Sequence, residues 1–276
     1  MKPIVGINSL LIKEISNGPI YAKEVDLIEI NFDESKILNE GTVNYDRLEE
    51  LKALGNKFSI HGPYTNYCSN IKFGLGIECK WNIEGMRKVL AAADYLNADS
   101  IVLHGDVVTG DYRDSMLNVI VNLKELSKLA KQYSITLLLE NMIREAKNDR
   151  VGVLPEEILQ ILKIIDEENV KFCFDMGHGN LSASLYKFSI LDFIDYLAPY
   201  LYEVHIHDNA GIPAIVNSQH GDEHLPLGEG KINYAKILQE TAKTDVKNLV
   251  LELNPQSKRA DVLESVSTLK SLIAKS

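Results

Sequence analysis

The residues best suited to chemistry are histidines and carboxylates that close short apolar segments. The segment "KFCFDMGHGN" runs through apolar residues to Asp175 and brings His178 three positions later. Other apolar segments end in or contain the same residue types, namely His61, His104, Glu140, His205 and Glu252, and a glycine-containing segment carries the pair Asp222 and His224. Mixed imidazole and carboxylate ligands suit Zn²⁺ or Mn²⁺ better than Ca²⁺, which prefers oxygen alone. These residues predict a divalent metal site.

Eight short β-rich segments must position these side chains, and longer segments with helical spacing separate them. The pattern predicts strands at 3–8, 27–31, 57–62, 100–105, 135–141, 170–175, 201–208 and 248–254, and helices that include 84–98, 115–134, 155–168 and 259–275. In the helix 115–134, an apolar stripe with a polar interruption is predicted, made of Leu117, Ile120, Val121, Leu123, Lys124 and Leu126. This order and length predict an α/β TIM barrel with eight β/α units. An open doubly wound sheet is the alternative, but the sequence has neither of the glycine-rich phosphate motifs typical of it.

A parallel barrel would bring the predicted ligands together, because the carboxyl ends of its strands meet at one rim. His205 and His207 are two residues apart on one strand and therefore face the same side. A ring of carboxylates and imidazoles at one mouth is costly to desolvate unless a cation compensates it. His207 and Asp208 are interpreted as groups that orient the ligands or contact the substrate.

Further residues are candidates for contact with a substrate. Tyr64 and Trp81 follow the strand that ends at His61 and could wall a pocket. Arg144 and Lys147 follow Glu140 and are candidates for binding a phosphate, with a solvated charged segment as the alternative.

Composition limits the class of protein. The chain of 276 residues has a net charge of −10, which argues against general coating of nucleic acid. Three cysteines are an odd number, so a reducing compartment and no disulfide framework are expected. No apolar stretch approaches the roughly 20 residues of a membrane span, and no linker divides the chain. We therefore expect one cytoplasmic domain over residues 1–276, and the oligomeric state stays open.

Seven motifs in order resemble the xylose isomerase-like TIM barrels, a superfamily that unites sugar isomerases and epimerases with the endonuclease IV family. The motifs are "FSIHGPY", "IVLHGD", "LLLEN", "FDMGH", "VHIHD", "DEHLPLGEG" and "LVLELN". In the epimerases and isomerases, residues matching Glu140, Asp175, His205 and Glu252 hold one divalent ion, and the two glutamates pass a proton. The resemblance thus implies a metal-dependent enzyme that isomerises or epimerises a sugar or sugar phosphate.

The alternative implied by the resemblance is a zinc phosphodiesterase that cleaves DNA at abasic sites. In endonuclease IV the same four positions are joined by those matching His61, His104, His178, Asp222 and His224, and three Zn²⁺ ions are held. All nine residue types are present here, so one to three ions are expected. Two departures disfavour DNA: the segment "HIHDNAG" lacks the nuclease pattern, and "IEINFDESKILNE" carries acids where nucleases have basic and aromatic residues.

Overall fold

The strands form a closed parallel barrel. The computed structural model describes residues 2–12, 21–32, 35–39, 41–63, 73–76, 79–145 and 147–275. The eight barrel strands follow one another around it in chain order, and the last returns to pair with the first. Each neighbouring pair is parallel, as the sequence predicts for a TIM barrel.

The strand and helix bounds follow the predicted alternation closely. The strands are β1 Ile4–Asn8, β2 Leu27–Asn31, β3 Leu38–Asn39, β4 Thr42–Val43, β5 Lys57–His61, β6 Ser100–His104, β7 Thr136–Glu140, β8 Val170–Asp175, β9 Leu201–Ile206 and β10 Asn248–Leu251. The helices are α1 Tyr45–Lys52, α2 Cys79–Leu96, α3 Tyr112–Lys131, α4 Pro155–Ile165, α5 Met176–Tyr186, α6 Asp192–Leu197, α7 Tyr234–Thr241 and α8 Arg259–Lys275. A short 3₁₀ helix, Ser9–Ile12, follows β1, and β3 and β4 form a separate small hairpin.

The strands are buried on both faces, but the two faces differ in chemistry. On β2, Ile28 and Ile30 join the apolar cluster that packs against the helices. Glu29 and Asn31 alternate with them and face the barrel interior. The interior is therefore unusually polar, whereas TIM barrels commonly fill it with branched apolar residues.

Local sequence sets the ends of the helices around the barrel. The Asp111 side chain accepts hydrogen bonds from the backbone of Arg113 and Asp114 and so begins α3. Pro155 opens α4 with the carboxylate of Glu157 accepting from the backbone N of Val153 and Leu154.

The predicted apolar stripe of α3 is wrong at two positions. Leu117 and Val121 are exposed, whereas Val119, Ile120 and Leu123 are buried. The buried face is centred about a third of a turn from the predicted one, because Asn122 and Ser127 also face the protein.

None of the helices within the described residues is both long and apolar enough to cross a membrane. The extent of a single domain over residues 1–276 stays a prediction.

Candidate metal centre

The nine residues predicted as ligands lie together at the carboxyl end of the barrel. Seven of them line one cavity of about 260 Å³: His61, His104, Glu140, His178, Asp222, His224 and Glu252. Asp175 and His205 are fully buried beneath it. The strand ends deliver six of the nine directly, since β5, β6, β7 and β8 end at His61, His104, Glu140 and Asp175, β9 carries His205 and Glu252 follows β10.

Glu140 lies at the centre of the cluster. Its Oε2 atom is 3.4 Å from His61 Nε2 and 3.0 Å from His104 Nε2. Its Oε1 atom is 3.2 Å from His178 Nδ1. One carboxylate thus faces three imidazoles, and His61, His104 and Glu140 form one group whose donor atoms lie within 4.8 Å of one another.

A second group surrounds the Nδ1 atom of His205. This atom is 3.3 Å from Glu252 Oε2, 3.8 Å from Glu140 Oε1 and 3.9 Å from Asp175 Oδ2. His205 Nδ1 and Glu140 Oε2 are buried and form no hydrogen bond within the part of the chain that the structure describes. Buried polar atoms without partners are rare and need an explanation. Divalent cations fit donors of this kind, because a metal bond satisfies a lone pair that no hydrogen bond uses.

A third group is built around Asp222. Its Oδ2 atom is 2.9 Å from His224 Nε2 and 3.2 Å from His178 Nε2. His207 is also in this group, although the sequence suggested a role in orienting ligands or contacting substrate. Its Nε2 atom is 3.1 Å from Asp175 Oδ1, its ring stacks on His224 at 4.0 Å, and it is fully buried. This burial is consistent with an orienting role for His207.

The loop that carries Asp222 and His224 is fixed by Asp208. The Asp208 carboxylate accepts hydrogen bonds from the backbone N of Gly228, Gly230 and Ile232. The backbones of Asp208 and Leu225 also exchange two hydrogen bonds of 2.8 Å. The predicted strand 201–208 ends at Ile206 because Asp208 pairs with this loop instead of the barrel.

The segment after Asp175 forms helix α5, which the sequence did not indicate. Asp175 caps this helix, since its Oδ1 accepts from the backbone N of His178 at 2.7 Å. The first helical turn, not an isolated glycine turn, therefore carries His178 to the mouth. Gly177 is required at close range, because a Cβ atom there would overlap the imidazole of His207.

Replacement of Gly177 by Ala is expected to destabilise the protein and disturb the third group. An added methyl in a tightly packed site costs about 1–3 kcal/mol, and here it must displace His207. Chemical unfolding of the metal-free protein measures the loss. The control is Gly110→Ala, where an added Cβ meets no atom within 4 Å and only the positive φ of 82° opposes the change. Equal stability of the Gly177→Ala protein and the unchanged protein would contradict the packing described.

Burial and neighbouring charges shift the pKa values of the cluster in opposite directions. Burial alone would lower the pKa of His61, but contact with Glu140 and the charge of Glu29 raise this pKa to about 9. Burial alone would also lower the pKa of His224, but the negative charge and hydrogen bond of Asp222 outweigh this effect and raise the pKa to about 10. Burial alone would raise the pKa of Glu252, yet the neighbouring His205 holds it well below its ordinary value.

Metal binding is therefore expected to release protons and to strengthen with pH. His61 and His224, with pKa values of about 9 and 10, are protonated at neutral pH in the metal-free protein, and the positive charge of an ion bound to the neighbouring Glu140 and Glu252 would favour loss of their protons. Titration calorimetry in buffers of different ionisation enthalpy measures this release. The raised pKa values also stabilise the metal-free fold below about pH 6.5, a contribution lost as the pH rises through 9 and 10. A metal affinity independent of pH would contradict the coupling between the ion and these two histidines.

The residues predicted to contact a substrate are more dispersed. Tyr64 lies outside the described residues. Trp81 is partly exposed on α2, with Lys80 Nζ 5.3 Å from its ring centroid. Arg144 pairs with Asp149 at 3.0 Å beside a separate cavity of about 100 Å³, and Lys147 is exposed. Neither of these two cations lines the cavity of the metal centre.

Sequence reasoning missed a set of polar residues beneath the centre. Glu29 and Glu203 are fully buried in the barrel, with Asn8 and Asn248 hydrogen-bonded to them. Burial raises the pKa of Glu29 to about 7 in spite of the neighbouring His205. The available signal was the two-residue spacing of polar side chains: Glu203 and His205 share one face of β9, His207 follows directly after its end, and Glu29 interrupts the apolar run of β2.

Fold and site together define a class, the (β/α)₈ proteins whose barrel mouth is lined by histidines and carboxylates. A family model described as "Xylose isomerase-like TIM barrel" matches residues 22–272. The chain belongs to this family, as the resemblance in the sequence implied.

Individual proteins are similar over most of the chain. The uncharacterized protein MJ1311 of Methanocaldococcus jannaschii is 27% identical over 226 residues, which cover 78% of this chain and 72% of the relative. The crystal structure of a D-tagatose 3-epimerase-like protein has a TM-score of 0.80 at 24% identity. The aligned part covers 98% of this chain and 97% of the chain in that structure. D-psicose 3-epimerase of Clostridium cellulolyticum H10, solved with D-tagatose, has a TM-score of 0.72 at 15% identity. The aligned part covers 99% of this chain and 98% of the epimerase chain. At these identities the two structures establish a shared fold.

Proposed function

We propose that the protein is a divalent-metal-dependent enzyme that isomerises or epimerises a small sugar. The observation that carries this proposal is the convergence of Glu140 and Glu252 on His205 Nδ1, at 3.8 and 3.3 Å, at the floor of a cavity of about 260 Å³. Similarity in fold to sugar epimerases supports it, since the related structures include a D-psicose 3-epimerase.

In this proposal Glu140, Asp175, His205 and Glu252 hold one ion of Zn²⁺ or Mn²⁺. When bound, the ion would polarise the carbonyl and the adjacent hydroxyl of a ketose. Glu252 lines the cavity and, as a carboxylate, would accept the proton from a substrate carbon. Glu140 approaches from the end of β7, three strands from β10 around the barrel, and would return the proton from the other side.

The charge of the cavity favours an uncharged sugar over a sugar phosphate or DNA. Among the described residues that line it, none is Lys or Arg, whereas Glu140, Asp222, Glu223 and Glu252 are acidic. Phosphate groups are usually held by Arg, Lys or backbone N–H groups. Arg144, one of the two candidates for phosphate binding, is paired with Asp149.

One observation favours a second candidate, a zinc phosphodiesterase similar to endonuclease IV. The nine positions form three linked groups, and His178 bridges them, because Nδ1 faces Glu140 while Nε2 faces Asp222. Several clustered ions could activate water and stabilise both the attacking and the leaving oxygen of a phosphodiester.

The two candidates are separated by assays on the same metal-loaded preparation. One assay incubates the protein with a panel of ketoses in D₂O and follows deuterium uptake at the carbon beside the carbonyl by NMR. The other measures nicking of a duplex with one abasic site. Deuterium uptake without nicking is expected. Nicking without uptake would overturn the isomerase proposal in favour of the phosphodiesterase.

A further inference from the structure

The metal centre rests on a second layer of polar residues inside the barrel. Glu29, in the middle of β2, is fully buried. Its Oε1 atom accepts a hydrogen bond from Asn8 Nδ2 at 3.0 Å, and its Oε2 atom is 3.2 Å from His205 Nε2. Both oxygens of this carboxylate therefore face nitrogen atoms, one of them on a predicted metal ligand.

Asn8 connects the same carboxylate to a second predicted ligand. Its Nδ2 atom donates to Glu252 Oε1 at 3.1 Å as well as to Glu29. The Asn8 side chain is itself fixed, because its Oδ1 accepts from the backbone N of Leu10 at 3.0 Å. Glu29 and Asn8 thus form a connected pair, the Asn8–Glu29 bracket, that touches both His205 and Glu252.

We propose that Glu29 is a positioning residue of the metal centre, acting on His205 directly and on Glu252 through Asn8. The inference rests on the proposed function, because it requires that His205 and Glu252 bind an ion. It concerns residues that lie outside the nine ligands and touch no substrate. Its consequence is that the affinity of the centre depends on a carboxylate buried one layer below it.

The geometry of His205 explains how the bracket acts. A hydrogen bond from Nε2–H to Glu29 selects the tautomer whose Nδ1 carries the lone pair. That atom faces the carboxylates of Glu140, Asp175 and Glu252 and has no hydrogen bond of its own in the described structure. A carboxylate on the far nitrogen also makes a metal-binding imidazole more basic.

The bracket fixes Glu252 in a complementary way. The hydrogen bond from Asn8 occupies Oε1 and leaves Oε2 towards His205 Nδ1 at 3.3 Å. The carboxylate is thereby held with one oxygen aimed at the point where the ligand atoms converge. Loss of Asn8 would free Glu252 to rotate and would leave one oxygen of Glu29 without its donor.

A glutamate is needed at position 29, because both of its partners donate. His205 Nε2–H and the Asn8 amide each require an acceptor, and a carboxylate supplies two. A glutamine supplies one oxygen, and its NH₂ group would meet a second donor. Glu29→Gln therefore keeps the size of the side chain while breaking one arm of the bracket.

Glu203 provides a matched control in the same layer. It is equally buried, and its Oε1 atom is 3.4 Å from His205 Nε2 but forms no hydrogen bond within the described residues. Its Oε2 atom accepts from Asn248 Nδ2 at 2.7 Å. Glu203→Gln removes a buried charge beside His205 without removing a hydrogen bond to it.

The test measures binding of Zn²⁺ alone by titration calorimetry in the unchanged full-length protein and in Glu29→Gln, Asn8→Ala and Glu203→Gln. Glu29→Gln is expected to weaken the first Zn²⁺ by about 10- to 100-fold. Asn8→Ala is expected to weaken it too, and Glu203→Gln to leave it nearly unchanged. Heteronuclear NMR of the Zn²⁺-loaded protein gives a second readout, in which His205 of the unchanged protein is protonated at Nε2. Circular dichroism verifies that each variant is folded.

Each result decides the proposal. Equal affinities for Glu29→Gln and the unchanged protein, or equal losses in Glu29→Gln and Glu203→Gln, would overturn it while the metal centre stands. If Glu29→Gln does not fold, Asn8→Ala decides by the same criterion. A His205 protonated at Nδ1 in the loaded protein would also overturn it. Failure of the unchanged protein to bind Zn²⁺ would instead overturn the proposed function together with this inference.

Discussion

Replacement of Glu252 by Gln is expected to reduce turnover of the sugar substrate by about 10²- to 10⁴-fold, the usual contribution of a general acid or base. The physical reason is the loss of the ionised carboxylate, whose pKa burial would raise but the neighbouring His205 holds well below its ordinary value. Glutamine preserves the shape of the side chain and cannot accept the proton. Steady-state kinetics on the ketose found by deuterium uptake measure the effect.

The controls for Glu252→Gln separate proton transfer from general damage. Glu264→Gln changes an exposed glutamate of α8 far from the cavity and is expected to leave turnover unchanged. Metal content measured on the same sample shows how much of the loss follows from a missing ion. Full turnover by Glu252→Gln with its metal retained would exclude Glu252 as a proton-transfer group.

Replacement of Glu140 by Gln is expected to be more damaging, because it removes the carboxylate shared by the first two groups. Glu140 lies within 3.4 Å of His61, His104 and His178, so its loss leaves buried positive charge uncompensated at neutral pH. Breaking a buried pair of this kind costs about 3–5 kcal/mol of folding free energy. We expect this loss in the metal-free protein, with loss of the ion and of turnover in the loaded one.

Denaturant unfolding and elemental analysis measure the effect of Glu140→Gln. The control is Glu125→Gln, which removes a carboxylate paired with Lys128 on the exposed face of α3, and exposed pairs of this kind contribute only about 0–1 kcal/mol. If Glu140→Gln bound metal as tightly as the unchanged protein, Glu140 could not be a ligand. If it lost metal and stability while the unchanged protein turned over no sugar, the barrel would be a metal-stabilised binding module.

The fold was predictable because strands buried on both faces produce apolar segments with clear ends. The eight barrel strands lie where the apolar segments between predicted helices place them. Helix α4 begins at Pro155, as its sequence indicates. Helix α5 was missed because Gly177 and Gly179 obscure its pattern, and its start depends on the capping of His178 N by Asp175. Such a cap is visible only once β8 and the helix are placed together.

The part of the candidate site that lies at the ends of the strands could be predicted from the sequence. The rim rule of parallel barrels brings together His61, Asp175 and the other predicted ligands without further information. The layer of polar residues beneath these ligands could not be predicted, because a single glutamate such as Glu29 within an apolar strand is equally typical of a solvated edge. Only closure of the barrel, in which β10 pairs with β1 and so brings β9 within three strands of β2, brings Glu29 to His205.

The central claim is that the mouth of the barrel binds a metal through Glu140, Asp175, His205 and Glu252. Anomalous diffraction from crystals of the protein loaded with Zn²⁺ tests it most directly, because it locates each ion and counts them. We predict a peak bonded to His205 Nδ1 and to oxygens of the three carboxylates. Further peaks at the groups around His104 and Asp222 would favour the phosphodiesterase. The absence of any peak among these four residues in zinc-loaded crystals would contradict the account.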